Sequence, residues 1–332
     1  MSKSDRLLQI ELLLLDHPTG LRRAEIASRL GIHKSTAGRD ITALSSRIPI
    51  LEQPDGRLTV ERSGYLTTVR LTMFELEALH LSGRLFARVM KFPFPHASAA
   101  LRKLAEAQGK VSPVLAERIR ETAEDIDHFP AGAAGDVTGY RQTIETLGQA
   151  ISELRPVRLL HYSRTRNAER EFHLFPVTLE PHHEGRAVHL LAWDLDDEPQ
   201  QFRTLKIERI RQVCIEPPAP HIAECVPIEQ LARRLRSAWS IWSTDRDPVP
   251  VVLHFTASVA GRVAETQWHL SQSLQPTPEG GILWRGEVSE PREMYPWIRS
   301  WGPDVEVIEP EWLRDEHRSD FEAGAQRYRH SP

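Results

Sequence analysis

A chain of 332 residues exceeds what one ordinary core needs, and 40% hydrophobic with 27% charged residues is the composition of a globular protein in water. No apolar run reaches the roughly 18–20 residues that span a bilayer, and a net charge of −4 leaves no global basic field for nucleic acid. Cys214 and Cys225 make neither a CxxC spacing nor a disulfide framework, which points to two thiols in a reducing, cytoplasmic setting.

The first sixty residues carry nine Lys/Arg against seven Asp/Glu, a mild local excess of positive charge. Leu7, Leu8, Ile10, Leu12, Leu14 and Leu15 predict an apolar first helix, stopped by His17-Pro18-Thr19-Gly20. Ala24, Ile26, Ala27 and Leu30 predict a second, ended by Gly31 in a left-handed turn. A third begins near His33 and turns Ala37, Ile41 and Leu44 inward. Ile50, Leu51, Leu58 and Val60 flank Pro54-Asp55-Gly56 as two short strands.

Residues 72–127 read as helical, with Thr72 and Glu75 at capping-box spacing and breaks at Pro93 and Pro95. Pro130 to Gly135 is a linker by composition, and a further helix is predicted from about Thr138 to Leu154. From Val157 the pattern turns to strands, predicted over 157–162, 171–179, 186–193 and 201–215. A second linker follows at 216–220 and a helix from Pro227 to Trp239. The last predicted elements are a strand at 249–255, a helix at 257–265, two strands around Glu279-Gly280-Gly281, a helix at 291–301 and a strand at 305–308.

Two short helices joined through Gly31 form a helix-turn-helix pattern, and the hairpin after them makes it a winged one. An α-helix fits the major groove, and small side chains at its start let the backbone approach base edges. His33, Lys34, Ser35, Thr36 and Arg39 occupy that start, and Arg57 follows the hairpin tip where it could meet phosphate. Arg39-Asp40-Ile41-Thr42-Ala43-Leu44 resembles the Arg-Asp-Ile-x-x-Leu core of recognition helices in winged-helix bacterial regulators that carry a WYL domain. Those helices usually start Ser-x-Arg-Thr; here His33-Lys34-Ser35-Thr36 stands instead, and Gly38 replaces a larger residue, which implies a different operator.

Arginines recur on or beside the short strands of the next segment: Arg170, Arg186, Arg203 and Arg209. Alternation places Arg203, Leu205, Ile207 and Arg209 on one face if no bulge intervenes. Guanidinium forks on a sheet suit phosphate or carboxylate, Tyr162 could stack a base, and His189 could add a proton-dependent contact. Residues 157–216 also hold ten acids against nine bases, so each arginine could instead pair with a neighbour such as Glu169, Glu171 or Glu208.

His161-Tyr162-Ser163, Arg170 with Pro176, Arg186-Ala187-Val188-His189-Leu190, Ala192-Trp193-Asp194, Phe202-Arg203 and Ile207-Glu208-Arg209-Ile210 together resemble the WYL domain. The naming Trp-Tyr-Leu triplet is Val188-His189-Leu190 here. The resemblance implies an Sm-like β-barrel sheet and an anionic effector, a nucleotide or single-stranded nucleic acid, near Tyr162, Ser163, Arg170, Arg186, His189, Arg203 and Arg209.

Val251 to Phe255, Trp268 to Gln272 and Ser300 to Val307 resemble the WCX extension found after such domains. That resemblance implies a ferredoxin-like α/β fold and a part in dimerisation or in closing over a ligand site. The expected organisation is multidomain α+β: a winged helix over 1–62, helices over 70–155, WYL over 156–218 and WCX over 227–326.

No GxSxG, phosphate loop or HExxH is present, so an enzyme is not expected, nor a cofactor or structural metal. His182-His183-Glu184 reads as a solvated turn beside Gly185. The expected protein is a homodimeric regulator binding a double-stranded DNA operator. The alternative is an accessory factor that binds nucleic acid through its sheet domain, with residues 1–60 serving dimerisation.

Overall fold

A computed structural model describes residues 2–61, 71–89, 95–128, 137–182, 186–242, 244 and 246–329. The chain forms two compact units, one running to residue 158 and taking up 213–220, the other built from 159–212 and from 221 onward.

The N-terminal part of the first unit holds α1 (Lys3–Asp16), β1 (Leu21–Arg22), α2 (Arg23–Leu30), α3 (Lys34–Ser45), β2 (Ile50–Glu52) and β3 (Arg57–Val60). Ser2 and Asp5 close a capping box at the start of α1, each side chain accepting from the other's backbone N–H at 3.0–3.1 Å. Gly31, at φ +64°, ends α2 and sends its N–H back to the carbonyls of Ala27 and Ser28. Ile10, Leu14, Ile26, Ala37, Ile41, Leu44 and Leu58 bury together, whereas Leu8, Leu12 and Ala24, also expected among the apolar positions, stand exposed. The hairpin gains an unexpected third strand: β1 pairs with β3, Leu21 opposite Leu58, in the order β1-β3-β2. Gly20 makes the turn into β1 at φ +84°, where an added Cβ would lie 2.7 Å from Thr59 Cγ2.

Four helices follow: α4 (Met73–Val89), α5 (Pro95–Gln108), α6 (Pro113–Asp127) and α7 (Val137–Ser152). Thr72 and Glu75 form the predicted cap, the Thr72 N–H donating to Glu75 at 2.6 Å. Leu76, Leu101, Ala105, Leu115, Ile119 and Ile126 make the core shared by α4, α5 and α6. The predicted break at Pro93 and the linker 130–135 lie outside the described residues.

A five-stranded sheet follows from β4 (Val157–Ser163), β5 (Ala168–His182), β6 (Ala187–Asp194), β7 (Phe202–Lys206) and β8 (Ile210–Ile215), in the order β7-β6-β5-β4-β8. The strand expected over 201–215 is broken by a 3₁₀ turn at Ile207–Arg209, and its halves go to opposite edges of the sheet. Arg203 and Arg209 therefore do not alternate along one strand. The sheet is open among the described residues, with no pairing of β7 to β8, where an Sm-like barrel would close.

The C-terminal region comprises α8 (Pro220–Cys225), α9 (Ile228–Ser237), β9 (Val249–Phe255), α10 (Ala260–Ala264), β10 (Ser273–Pro276), β11 (Ile282–Val288), α11 (Tyr295–Ser300), β12 (Val305–Glu309) and α12 (Glu311–Arg329). Its strands pair antiparallel throughout in the order β10-β11-β9-β12. Trp284, Phe255, Trp297 and Trp301 fill the core, and Trp268 packs against it with Nε1 donating to the Val263 carbonyl at 3.1 Å. Two elements were not expected: α8, which begins at the last residue of the second linker, and α12. No helix among the described residues is long and apolar enough to cross a membrane.

Candidate nucleic-acid interface and ligand cavity

Helix α3 sorts its residues by face. His33, Lys34, Ser35 and Arg39 are exposed and Thr36 is half-buried, while Ala37, Asp40, Ile41 and Leu44 are buried. His33 stands just before the helix as its N-cap, its Nδ1 accepting from the Ser35 N–H at 3.3 Å and lying 2.8 Å from Ser35 Oγ. The Arg39 Nε donates to the Ser35 carbonyl at 3.4 Å along the outer face. Asp40, only 3% exposed, takes a 2.7 Å bond from Arg6 Nε on α1. The acid beside Arg39 is thus a tie between helices.

Arg57 does not stand free at the hairpin tip. Its Nε is 3.1 Å from Asp55, and its Nη1 donates to the Gly20 carbonyl at 3.4 Å. Contact with a phosphate would exchange that ion pair for another.

Gly38 is helical with open space where a Cβ would stand. Gly38→Ala is expected to raise stability by about 1 kcal/mol, because alanine loses less backbone freedom in a helix. A thermal melt of the variant checks this; a lower midpoint would refute it.

In the second unit a cavity of about 850 Å³ opens on the five-stranded sheet. Its lining includes His161, Ser163, Arg166, Arg170, Arg203 and Arg209 with Phe172, Phe202 and Trp242. His161 and Ser163 alternate with Tyr162 on β4, so Tyr162 points elsewhere: its hydroxyl donates to Asn167 Oδ1 at 2.6 Å and Arg211 lies over its ring. Arg186 sits exposed in the turn before β6, and His189 is buried with its ring 5.6 Å from that of His182. Of the residues expected around an effector, the cavity takes Ser163, Arg170, Arg203 and Arg209, and Tyr162, Arg186 and His189 lie off its lining. Arg166 and Trp242 join it without a periodic or spacing signal in the sequence.

The four arginines differ. Arg203 is bound to Asp194 at 2.9 Å and also to Asp197, a structural ion pair. Arg170 lays its guanidinium 4.6 Å from the centroid of the Phe172 ring. Among the described residues no carboxylate pairs with Arg166, Arg170 or Arg209; Glu169, also in the lining, faces Arg211 at 3.7 Å. The cavity therefore carries a surplus of positive charge beside aromatic faces. No group of three His, Cys, Asp or Glu able to hold a metal occurs among the described residues, and His183 and Glu184 lie outside them.

Burial holds both His161 and His189 down to about pKa 4, helped by Arg209 beside His161 and by His182, Lys206 and Arg209 around His189. Below the ordinary value of 6.5 the unfolded chain takes up protons that these folded rings refuse. Stability contributed by the neutral rings is thus present above that value and lost as the pH falls towards 4. The expected loss across this window is about 3 kcal/mol for each ring, read from urea denaturation in a pH series. A His161→Gln, His189→Gln double variant should flatten the profile; an unchanged slope in it would assign the dependence to other groups.

Family models described as WYL domain and WCX domain match residues 142–215 and 247–325. No curated protein matches the chain. Among solved structures the chain is similar to proteasome accessory factor B/C (PafBC) of Arthrobacter aurescens, at 19% identity and a TM-score of 0.34, over 99% of this chain and 49% of that one. It thus spans about half the length of that relative. It is also similar to a CRISPR Cas-related protein, at 10% identity and a TM-score of 0.43, over 80% of this chain and 88% of that one.

Proposed function

We propose, from the match of residues 142–215 to the WYL domain and of 247–325 to the WCX domain, that the chain is a transcriptional regulator binding a DNA operator through residues 1–60. The observation that carries the proposal is the division of α3, which exposes Lys34, Ser35 and Arg39 at one end while Ala37, Ile41 and Leu44 anchor it. Three helices packed with a β1-β3-β2 sheet support a winged helix-turn-helix, with α3 in the major groove. The strand order β10-β11-β9-β12 with interleaved helices supports a ferredoxin-like C-terminal domain.

The protein acts as a homodimer on a palindromic site, since two-fold protein symmetry requires two-fold operator symmetry. Arg39 and Lys34 supply affinity, Ser35 and Thr36 base preference, and His33 sets the helix start. An anionic effector, nucleotide or single-stranded, binds the cavity through Arg166, Arg170 and Arg209, with Ser163 nearby. It changes operator affinity only if it prefers one conformation of the protein, and typical coupling amounts to about a 5–150-fold change.

The test is a footprint on fragments selected from a genomic library. Arg39→Ala should weaken operator binding by about 1–3 kcal/mol. An unaltered footprint in that variant, or one that survives deletion of residues 1–60, would refute the DNA-binding assignment.

A further inference from the structure

Trp242 lies between the two matched domains, after residue 215 and before residue 247. It is 50% exposed, and of the eight tryptophans in the chain it is the one that stands exposed. An indole is ordinarily placed where its ring is covered, so an uncovered one on a cavity wall asks for a partner.

The segment that carries it is fixed. Glu293, 4% exposed, accepts from the backbone N–H groups of Ser240 at 2.8 Å, Ile241 at 2.9 Å and Trp242 at 3.1 Å. Three N–H groups thus converge on one carboxyl group, and the Ile241 side chain, 1% exposed, anchors the same stretch in the core. The backbone therefore holds the indole at the cavity rather than leaving it on a loose loop.

The cavity joins this ring to cations: Arg166 and Arg209 in its lining, and Arg170 over the Phe172 ring. Phosphate alone would use the guanidinium groups and leave the aromatic wall bare. We propose that Trp242 is the stacking surface that takes the base of the cavity's ligand, whether the ligand is free or the end of a strand. The proposal rests on the effector site read above and adds to it the residue that holds the base.

The experiment is calorimetric titration of the full chain with the four nucleoside 5′-monophosphates and, in parallel, with ribose 5-phosphate. Because a base stacked on an aromatic side chain is sequence-tolerant, the nucleotides should bind about 5–150-fold more tightly than ribose 5-phosphate. Trp242→Ala should erase that preference and leave the affinity for ribose 5-phosphate where it was; Trp242→Phe should keep most of it. A 5′-phosphorylated oligonucleotide titrated beside the mononucleotides tells a strand end from a free nucleotide by which binds more tightly. A wild-type protein without the preference, or Trp242→Ala with the full preference, overturns the stacking role while the anion site stands. If neither phosphate compound binds, the anion site falls and the inference with it.

Discussion

Arg203→Ala is expected to destabilise the second unit by about 3–5 kcal/mol, the cost of removing one partner from a buried ion pair. Asp194 is 2% exposed and receives the Arg203 Nε at 2.9 Å. Without the arginine its carboxylate would remain desolvated, with the Asp196 N–H at 3.3 Å as the other donor to it among the described residues. Asp197 would lose its contact with the same guanidinium. The double variant Arg203→Met, Asp194→Asn removes both charges and should recover part of the loss, because it is the orphaned carboxylate that costs most. Urea unfolding of the two variants separates these effects. Equal stability of Arg203→Ala and wild type would refute the structural role. Arg170→Ala provides the contrast: its guanidinium touches a ring rather than a buried acid, so it should lower anion affinity with little change in the unfolding midpoint.

Arg6→Ala should also lower the unfolding midpoint of the N-terminal domain, because it leaves the buried Asp40 carboxylate without its cation. Arg6 reaches from α1 to Asp40 on α3, and the carboxylate it meets is almost fully enclosed. Loss of the pair would both expose an uncompensated charge to the core and loosen α3 against α1. Operator binding should fall with folding, in contrast to Arg39→Ala, which should weaken binding with the melting temperature unchanged. Parallel melts and footprints of the two variants decide the matter. A stable Arg6→Ala protein would show that Asp40 finds another partner; a destabilised Arg39→Ala protein would remove Arg39 from the exposed interface.

Much of the order of elements was legible in the chain because it depends on near neighbours. The apolar spacing of Ile10, Leu14, Ile26, Ile41 and Leu44 sets which helix faces bury, and Gly31 and the Thr72–Glu75 box end or begin helices by local geometry. The ordered motifs from His161 to Ile210 and from Val251 to Val307 likewise pointed to the two domains whose family models match. Helix α12 escaped notice because only Leu313 and His317 bury along it, too few positions to stand out as a stripe. Strand β1, two residues long, has no pattern of its own and exists because Leu21 finds Leu58.

The site depended still more on contacts between distant residues. Arg170, Arg203 and Arg209 look alike in a row of letters. Only the fold engages Arg203 with Asp194 and Asp197, breaks the strand at 207–209, turns Tyr162 off the cavity and brings Trp242 onto it. Periodicity encodes which face of an element turns inward. Whether a cation is already neutralised, or an aromatic ring left uncovered, is set by side chains that meet only after folding, and no local pattern carries that information.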